Sequence, residues 1–298
     1  GTNLGLIDGR VVMPVPVSDA YGYGYGLPQR FDNHGLVRDI EVASGEFVQA
    51  ADASFASNGS LRVAGDSSMP VYGSVFVDND FLGTLTVEGT HQTGCLLGSN
   101  GTLAVGGVID LKPMSTLTVS PVVAQSCQFD GVLVGAGKLL KTGTGTQVIG
   151  ARALPQFWTA PRPATSFSGG TSVVAGTLAS ITSDAFGTGP VSIDGANARI
   201  RIDADDLVIA NAFAFNAMTV LDTNGFDATL DGASSGSVLV RKTGTGTLRW
   251  NGARAHTGMT LIDGGVLRLN DSLAGPVTVA GSGTLAGSAT LAGGLNVL

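Results

Sequence analysis

Lys141-Thr-Gly-Thr-Gly-Thr146 recurs as Lys242-Thr-Gly-Thr-Gly-Thr247, and the likeness extends well beyond this box. Ser168-Gly-Gly-Thr-Ser-Val-Val-Ala-Gly-Thr-Leu178 matches Thr257-Gly-Met-Thr-Leu-Ile-Asp-Gly-Gly-Val-Leu267, an offset of 89 from 168 to 257. Both units then return through Gly-Pro-Val, at Gly189-Pro-Val191 and at Gly275-Pro-Val277. A unit that repeats in order, with small residues and short apolar runs, marks a solenoid rather than a single globular core.

A finer pattern runs outward from these units. Gly59-Ser-Leu-Arg-Val63, Gly83-Thr-Leu-Thr-Val87, Gly101-Thr-Leu-Ala-Val105 and Ser115-Thr-Leu-Thr-Val119 each read as a short strand after a turn residue. Alternation with period two puts Leu85 and Val87 on one face and the residue between them on the other. Gly, Asn and Asp separate the strands because they tolerate positive φ. No apolar stripe with a 3.6-residue period runs beyond two turns, so helix is expected to be nearly absent. Short strands at irregular spacing, without regular hairpin Asn-Gly pairs, predict an all-β chain coiled into a parallel β-helix. The expectation is about a dozen rungs, with Leu, Val and Ile stacked inside.

Composition agrees. The chain has 298 residues, 45 of them Gly, and 13% are charged. With 43% hydrophobic residues it can bury a core, which argues against charged disorder. Net charge is −7, and the 16 Lys and Arg residues are scattered singly, so no basic stripe exists to bind nucleic acid. Apolar runs such as 131–140 fall short of the roughly 20 residues of a spanning helix. Residue 1 is Gly, without a basic-then-apolar leader, and 290–298 stops within the repetitive pattern, so the chain reads as an excised fragment. Cys95 and Cys127 lie too far apart for a CxxC metal knuckle; a single disulfide and two buried thiols are both open readings.

The run Lys-Thr-Gly-Thr-Gly-Thr, then Tyr/Thr-Gly-x-Thr, a Gly-x-Leu strand and the Gly-Pro-Val return resembles the passenger-associated transport repeat of Gram-negative autotransporters. Residues 242–269 match it closely, and 141–178 match at both ends. Including Gly281-Ser-Gly-Thr-Leu-Ala-Gly-Ser-Ala-Thr-Leu-Ala-Gly-Gly294, the resemblance covers the C-terminal half. It implies a right-handed parallel β-helix, exported to the cell surface or beyond through a C-terminal outer-membrane β-barrel of the parent chain. The expected organisation is a cap or linker at 1–40 and a β-helix at 41–298, with repeats at about 141–193 and 242–279. Tyr21-Gly-Tyr-Gly-Tyr-Gly26, Pro14, Pro16 and Pro28 set the stretch 1–40 apart.

Chemistry is sparse. Gly65-Asp66-Ser67-Ser68 resembles a serine-nucleophile string, but His34 lies too close upstream and the fourth residue is not Gly. The carboxylates Asp78 and Asp80, and Asp203, Asp205 and Asp206, read as turn residues rather than as the acid–base pair of a polysaccharide-cleaving β-helix or a calcium site. His34, His91 and His256 have no zinc spacing and read as surface polar residues. No metal and no cofactor is expected. The first repeat carries the stretch 151–167 between Gly150 and Ser168, where the second has only 253–256 between Gly252 and Thr257. This excursion brings Arg152, Phe157, Trp158 and Arg162 together with three prolines, a composition suited to contact with a host protein or surface glycan. The sequence thus points to a non-enzymatic passenger that binds through this excursion. Its alternatives are a stalk that assists secretion of an upstream subtilisin-like protease, and less favourably a polysaccharide-cleaving enzyme.

Overall fold

The computed structural model describes residues 108–150 and 164–298, and of residues 1–107 the strands alone. All regular structure among the described residues is β, and every strand pairing is parallel. The described residues form a parallel β-solenoid of about 8 turns. Phe213, Ser234 and Arg254 stack directly on one another in successive turns.

Three strand ladders give the column three faces. Face A stacks 116–119, 138–141, 171–173, 191–193, 213–215, 234–236 and 254–256. Face B stacks 146–149, 177–180, 199–202, 219–222, 240–243, 260–262, 277–279 and 295–297. Face C stacks 207–209, 228–230, 247–250, 266–269 and 284–287. Strand amides and carbonyls bond to the turns before and after, while some corner amides, such as those of Ser115 and Phe226, bond within their own turn.

Period-two alternation sends one set of side chains into the lumen. Val119, Val173, Ile193 and Phe215 form one inward column on face A, and Ile200, Leu221 and Ile262 one on face B. Face C contributes Leu230, Trp250 and Leu269. Corners are made by residues at positive φ, among them Asp206, Asn224, Gly143 and Gly244.

The two repeat copies do not lie above one another. Thr171 belongs to face A, whereas its counterpart Thr260 belongs to face B. Lys141 is likewise on face A and Lys242 on face B. The offset is therefore four turns plus one face: the motif specifies a strand–corner–strand unit that works at any side of the triangle.

Parallel pairing of the same kind occurs between Leu6 and Val63. Leu6–Met13 pairs with Leu36–Val42, which pairs with Ser54–Val63. Arg30–Asn33 pairs with Glu46–Gln49. The Tyr21, Tyr23 and Tyr25 run lies outside the described residues, and the division near residue 40 stays a proposal.

Candidate functional site

The strongest local feature is the Lys-Thr-Gly-Thr-Gly-Thr box, a corner whose lysine points into the solenoid while its central threonine, Thr144 or Thr245, is exposed. Period two gives a reason: Lys141 continues the inward column of Val119 and Val173, and Lys242 that of Leu221 and Ile262. Lys141 is 0% exposed and Lys242 is 1% exposed. The lumen thus holds two ammonium groups beside the expected Leu, Val and Ile. A buried ammonium is costly unless its protons are matched. Here the matching comes from the corners, whose carbonyls turn inward as the chain changes face.

Lys141 Nζ donates to the carbonyls of Thr142 (2.5 Å) and Gly143 (2.8 Å), and across the stack to Ala175 (2.9 Å). Lys242 Nζ lies within hydrogen-bond distance of five acceptors, the carbonyls of Thr243 (3.0 Å), Gly244 (2.8 Å), Gly246 (3.0 Å) and Gly264 (3.0 Å) and Thr223 Oγ1 (3.0 Å). Ala175 and Gly264 are equivalent positions in the repeat, each just before a glycine at positive φ. Those glycines, Gly176 (φ 66°) and Gly265 (φ 62°), seat on the box below. A Cβ on Gly176 would lie 2.5 Å from the carbonyl oxygens of Gly143 and Gly145. A Cβ on Gly265 would lie 2.4 and 2.5 Å from those of Gly244 and Gly246. Glycine is thus required twice over in each copy, by conformation and by space. Burial pushes both ammoniums down to about 8, opposed at Lys242 by the charges of Asp222 and Asp227. Both stay protonated at neutral pH.

A third cation enters the lumen at Arg254, 8% exposed. Its Nη1 donates to the carbonyls of Trp250, Asn251 and Gly252, and its Nε to that of Ser272 (3.1 Å). Two positions on, His256 is fully buried against Phe215 (ring centroids 5.6 Å apart) and Trp250 (6.2 Å). This overturns the reading of His256 as a surface residue; its ring packs in the lumen against these two aromatic rings. Burial lowers its pKa, with the backbones of Gly236 and Met259 pulling the other way, although neither ring nitrogen reaches full hydrogen-bond geometry.

The acidic residues act at the corners. Asp203 accepts from Arg201 Nε (2.7 Å) and Nη2 (2.6 Å) and from Asn224 Nδ2 (3.0 Å). Asp205 accepts the Asp227 amide (2.9 Å), and Asp206 occupies a positive-φ turn position (56°). Among the described residues no group of three or more His, Cys, Asp or Glu side chains converges as a metal site. Asp78 and Asp80, Asp66 and Ser67, and His34 lie outside the described residues, as do Arg152, Phe157, Trp158 and Arg162. Cys127 is buried and disulfide-bonded; Cys95 is outside the described residues, and its pairing with Cys127 is a proposal that follows from there being two cysteines in the chain.

The inward lysines could have been found in the sequence: the box follows Lys138-Leu-Leu-Lys141, where period two places Leu139 and Lys141 on the same side. Arg254 and His256 carried a weaker signal, since their strand, Arg254–His256, is so short.

Sequence comparison agrees with this geometry. The family described as passenger-associated-transport-repeat matches residues 163–179 and 240–269, which include both corner glycines Gly176 and Gly265 and the Lys242 box. The chain is similar to the adhesin BmaC autotransporter of Brucella suis biovar 1 (strain 1330), with 32% identity over 236 residues. That alignment covers 71% of this chain and 6% of the relative, so the chain spans a small part of that protein's length. No solved structure matches. The repeats, the three-faced parallel solenoid and this relative together make the chain a segment of an autotransporter passenger domain that carries passenger-associated transport repeats.

Proposed function

We propose that this passenger segment acts as an adhesin-type, non-enzymatic binding surface presented on a β-solenoid. As an autotransporter passenger it resides at the cell surface or outside the cell after export through the outer membrane. The observation that carries the binding reading is the similarity to an autotransporter named as an adhesin, over 71% of this chain. The geometry supports it. The corner carboxylates are engaged by backbone and arginine groups, which is the work of a scaffold. The proposed contact site remains the excursion with Arg152, Phe157, Trp158 and Arg162, and the proposed partner a host protein or surface glycan. The C-terminal outer-membrane β-barrel is proposed as the other partner, within the parent chain.

The test is capture of partners from host-cell surface extract on immobilised protein, comparing the natural chain with Phe157→Ala/Trp158→Ala. Specific capture that the double substitution abolishes, with an unchanged β-type circular dichroism spectrum, supports the reading. Capture that survives the substitution moves the contact elsewhere on the column. A second reading, a stalk that assists secretion, is favoured by the regularity of 191–287, where strands recur on all three faces; it predicts no specific capture at all.

A further inference from the structure

We infer that the Lys-Thr-Gly-Thr-Gly-Thr corner is a monovalent-cation site of potassium or ammonium size, occupied in this protein by the chain's own lysine. Three observations carry it, and none depends on what the passenger binds. First, the Lys242 corner offers more oxygens than an ammonium has protons. Five acceptors stand 2.8–3.0 Å from Nζ, four of them carbonyls and one the Thr223 hydroxyl, whereas an ammonium donates three hydrogen bonds. The Thr223 hydroxyl is turned to suit: it donates to the Thr243 carbonyl (3.1 Å), leaving lone pairs for the cation. Such a shell matches a spherical charge better than three directional bonds.

Second, the shell is neutral. All five direct acceptors are uncharged oxygens, and Asp222 and Asp227 act on the site only through their charge, from outside this shell. The distances agree: calcium takes oxygens at about 2.3–2.6 Å and magnesium at about 2.0–2.1 Å, shorter than any of the five here. Rings of carbonyls that replace a hydration shell are instead the chemistry of potassium selectivity.

Third, the arrangement recurs on a different face. Lys141 is held by Thr142, Gly143 and Ala175 carbonyls at 2.5–2.9 Å, a smaller shell of the same plan. Each cation joins its own corner to the carbonyl before the positive-φ glycine of the next turn, Ala175 or Gly264. The Lys242 shell also reaches back to Thr223, so one charge ties three successive turns.

The test removes the tethered charge and asks whether a free one replaces it. Thermal unfolding of Lys242→Ala is followed in potassium, ammonium, sodium and choline chlorides at equal ionic strength. Potassium and ammonium are expected to raise its midpoint above that in choline. At a concentration 100 times the dissociation constant, the unfolding equilibrium constant falls about 100-fold. The natural chain and Lys242→Met, whose lumen is filled by a side chain, should show no such preference. Lys141→Ala, with three acceptors, should respond more weakly, and it serves if Lys242→Ala does not fold. A measurement on the natural chain adds an independent reading: lysine ammonium protons in the shells exchange slowly and give resolved signals in a nitrogen–proton correlation spectrum at neutral pH. Equal behaviour of all variants in all four salts, or the absence of slow ammonium signals, overturns the proposal.

Discussion

The two copies of the repeat share nearly the same letters but differ in surroundings. The first places its box lysine on face A with three acceptors, and the second on face B with five. Around the first, the turn carries the long excursion after Gly150; around the second, the turn is as short as its neighbours. What persists between the copies is therefore the fold-determining part: the inward lysine, the Gly-Thr-Gly corner and the glycine of the next turn. What varies is the number of oxygens around the charge and the length of the connection. A motif independent of face is a local coupling between consecutive turns, as expected of a solenoid whose stability is a sum of nearest-neighbour terms.

The sharpest way to break the comparison is at the corner glycines. Gly176→Ala and Gly265→Ala each place a methyl within 2.5 Å of two carbonyl oxygens while holding a left-handed backbone. A shift of backbone against backbone should cost about 3–5 kcal/mol in each copy. Chemical denaturation of the two variants should give closely similar losses; a tolerated substitution in one copy would show that its corner is not seated as described.

The lysines should separate the copies. Lys242→Met orphans up to five acceptors and Lys141→Met up to three. With about 1–3 kcal/mol for a buried polar group left unmatched, and some acceptors turning elsewhere, the expected losses are about 3–4 and about 2 kcal/mol respectively. Equal losses would mean that the charge, and not the shell, sets the energy.

The parallel solenoid was legible because alternation, turn residues and repeats all point the same way. The three-sided cross-section was not, since strand spacing in sequence does not reveal whether a turn has two sides or three. Both box lysines stood in plain sight at inward positions, yet a charged residue in an apolar column reads as solvent-facing until the corner carbonyls that receive it are known. His256 was missed for a related reason: the strand Arg254–His256, caught between two corners, is too short to fix an alternation. Arg152, Phe157, Trp158 and Arg162 were singled out by composition and remain a proposal.

Titration gives a smaller and signed effect. Lys141, Lys242 and His256 are all bases whose folded pKa lies below the ordinary value. The unfolded chain therefore binds more protons than the fold across each window, and stability rises with pH there. For the lysines the window runs from about 8 to the ordinary 10.5; for His256 the loss begins as pH falls below 6.5. Denaturation midpoints at pH 5, 7, 8 and 10 should climb at both steps. The upper step should shrink in Lys242→Met, and the lower one should vanish in His256→Phe. A midpoint that falls between pH 8 and 10 would contradict buried, charged lysines.

The smallest effect on stability is expected where the copies differ most in length. Residues 164–167, Ala-Thr-Ser-Phe, and residues 253–256, Ala-Arg-Ala-His, occupy corresponding places in the two copies and share one burial pattern of exposed, buried, exposed, buried. Phe167 and His256 are both fully buried, and Ser166 and Phe167 stack on Leu133 through their amides. The letters suggest a different correspondence, because Gly150-Ala-Arg-Ala153 is identical to Gly252-Ala-Arg-Ala255. That match would put Arg152 in the place of Arg254, yet the described place is filled by Thr165, which is 2% exposed. The stretch 151–163 is then the whole excess of the first copy over the second. Deleting it leaves Gly150 followed by Ala-Thr-Ser-Phe-Ser, the spacing that already folds around Gly252. Loop closure changes by less than about 1 kcal/mol for such a shortening, so the stability should move by no more than about 1 kcal/mol while the proposed binding disappears with Phe157 and Trp158. A large loss of stability would mean that the excursion belongs to the scaffold, and the contrast between an invariant corner and a variable connection would fail at that turn.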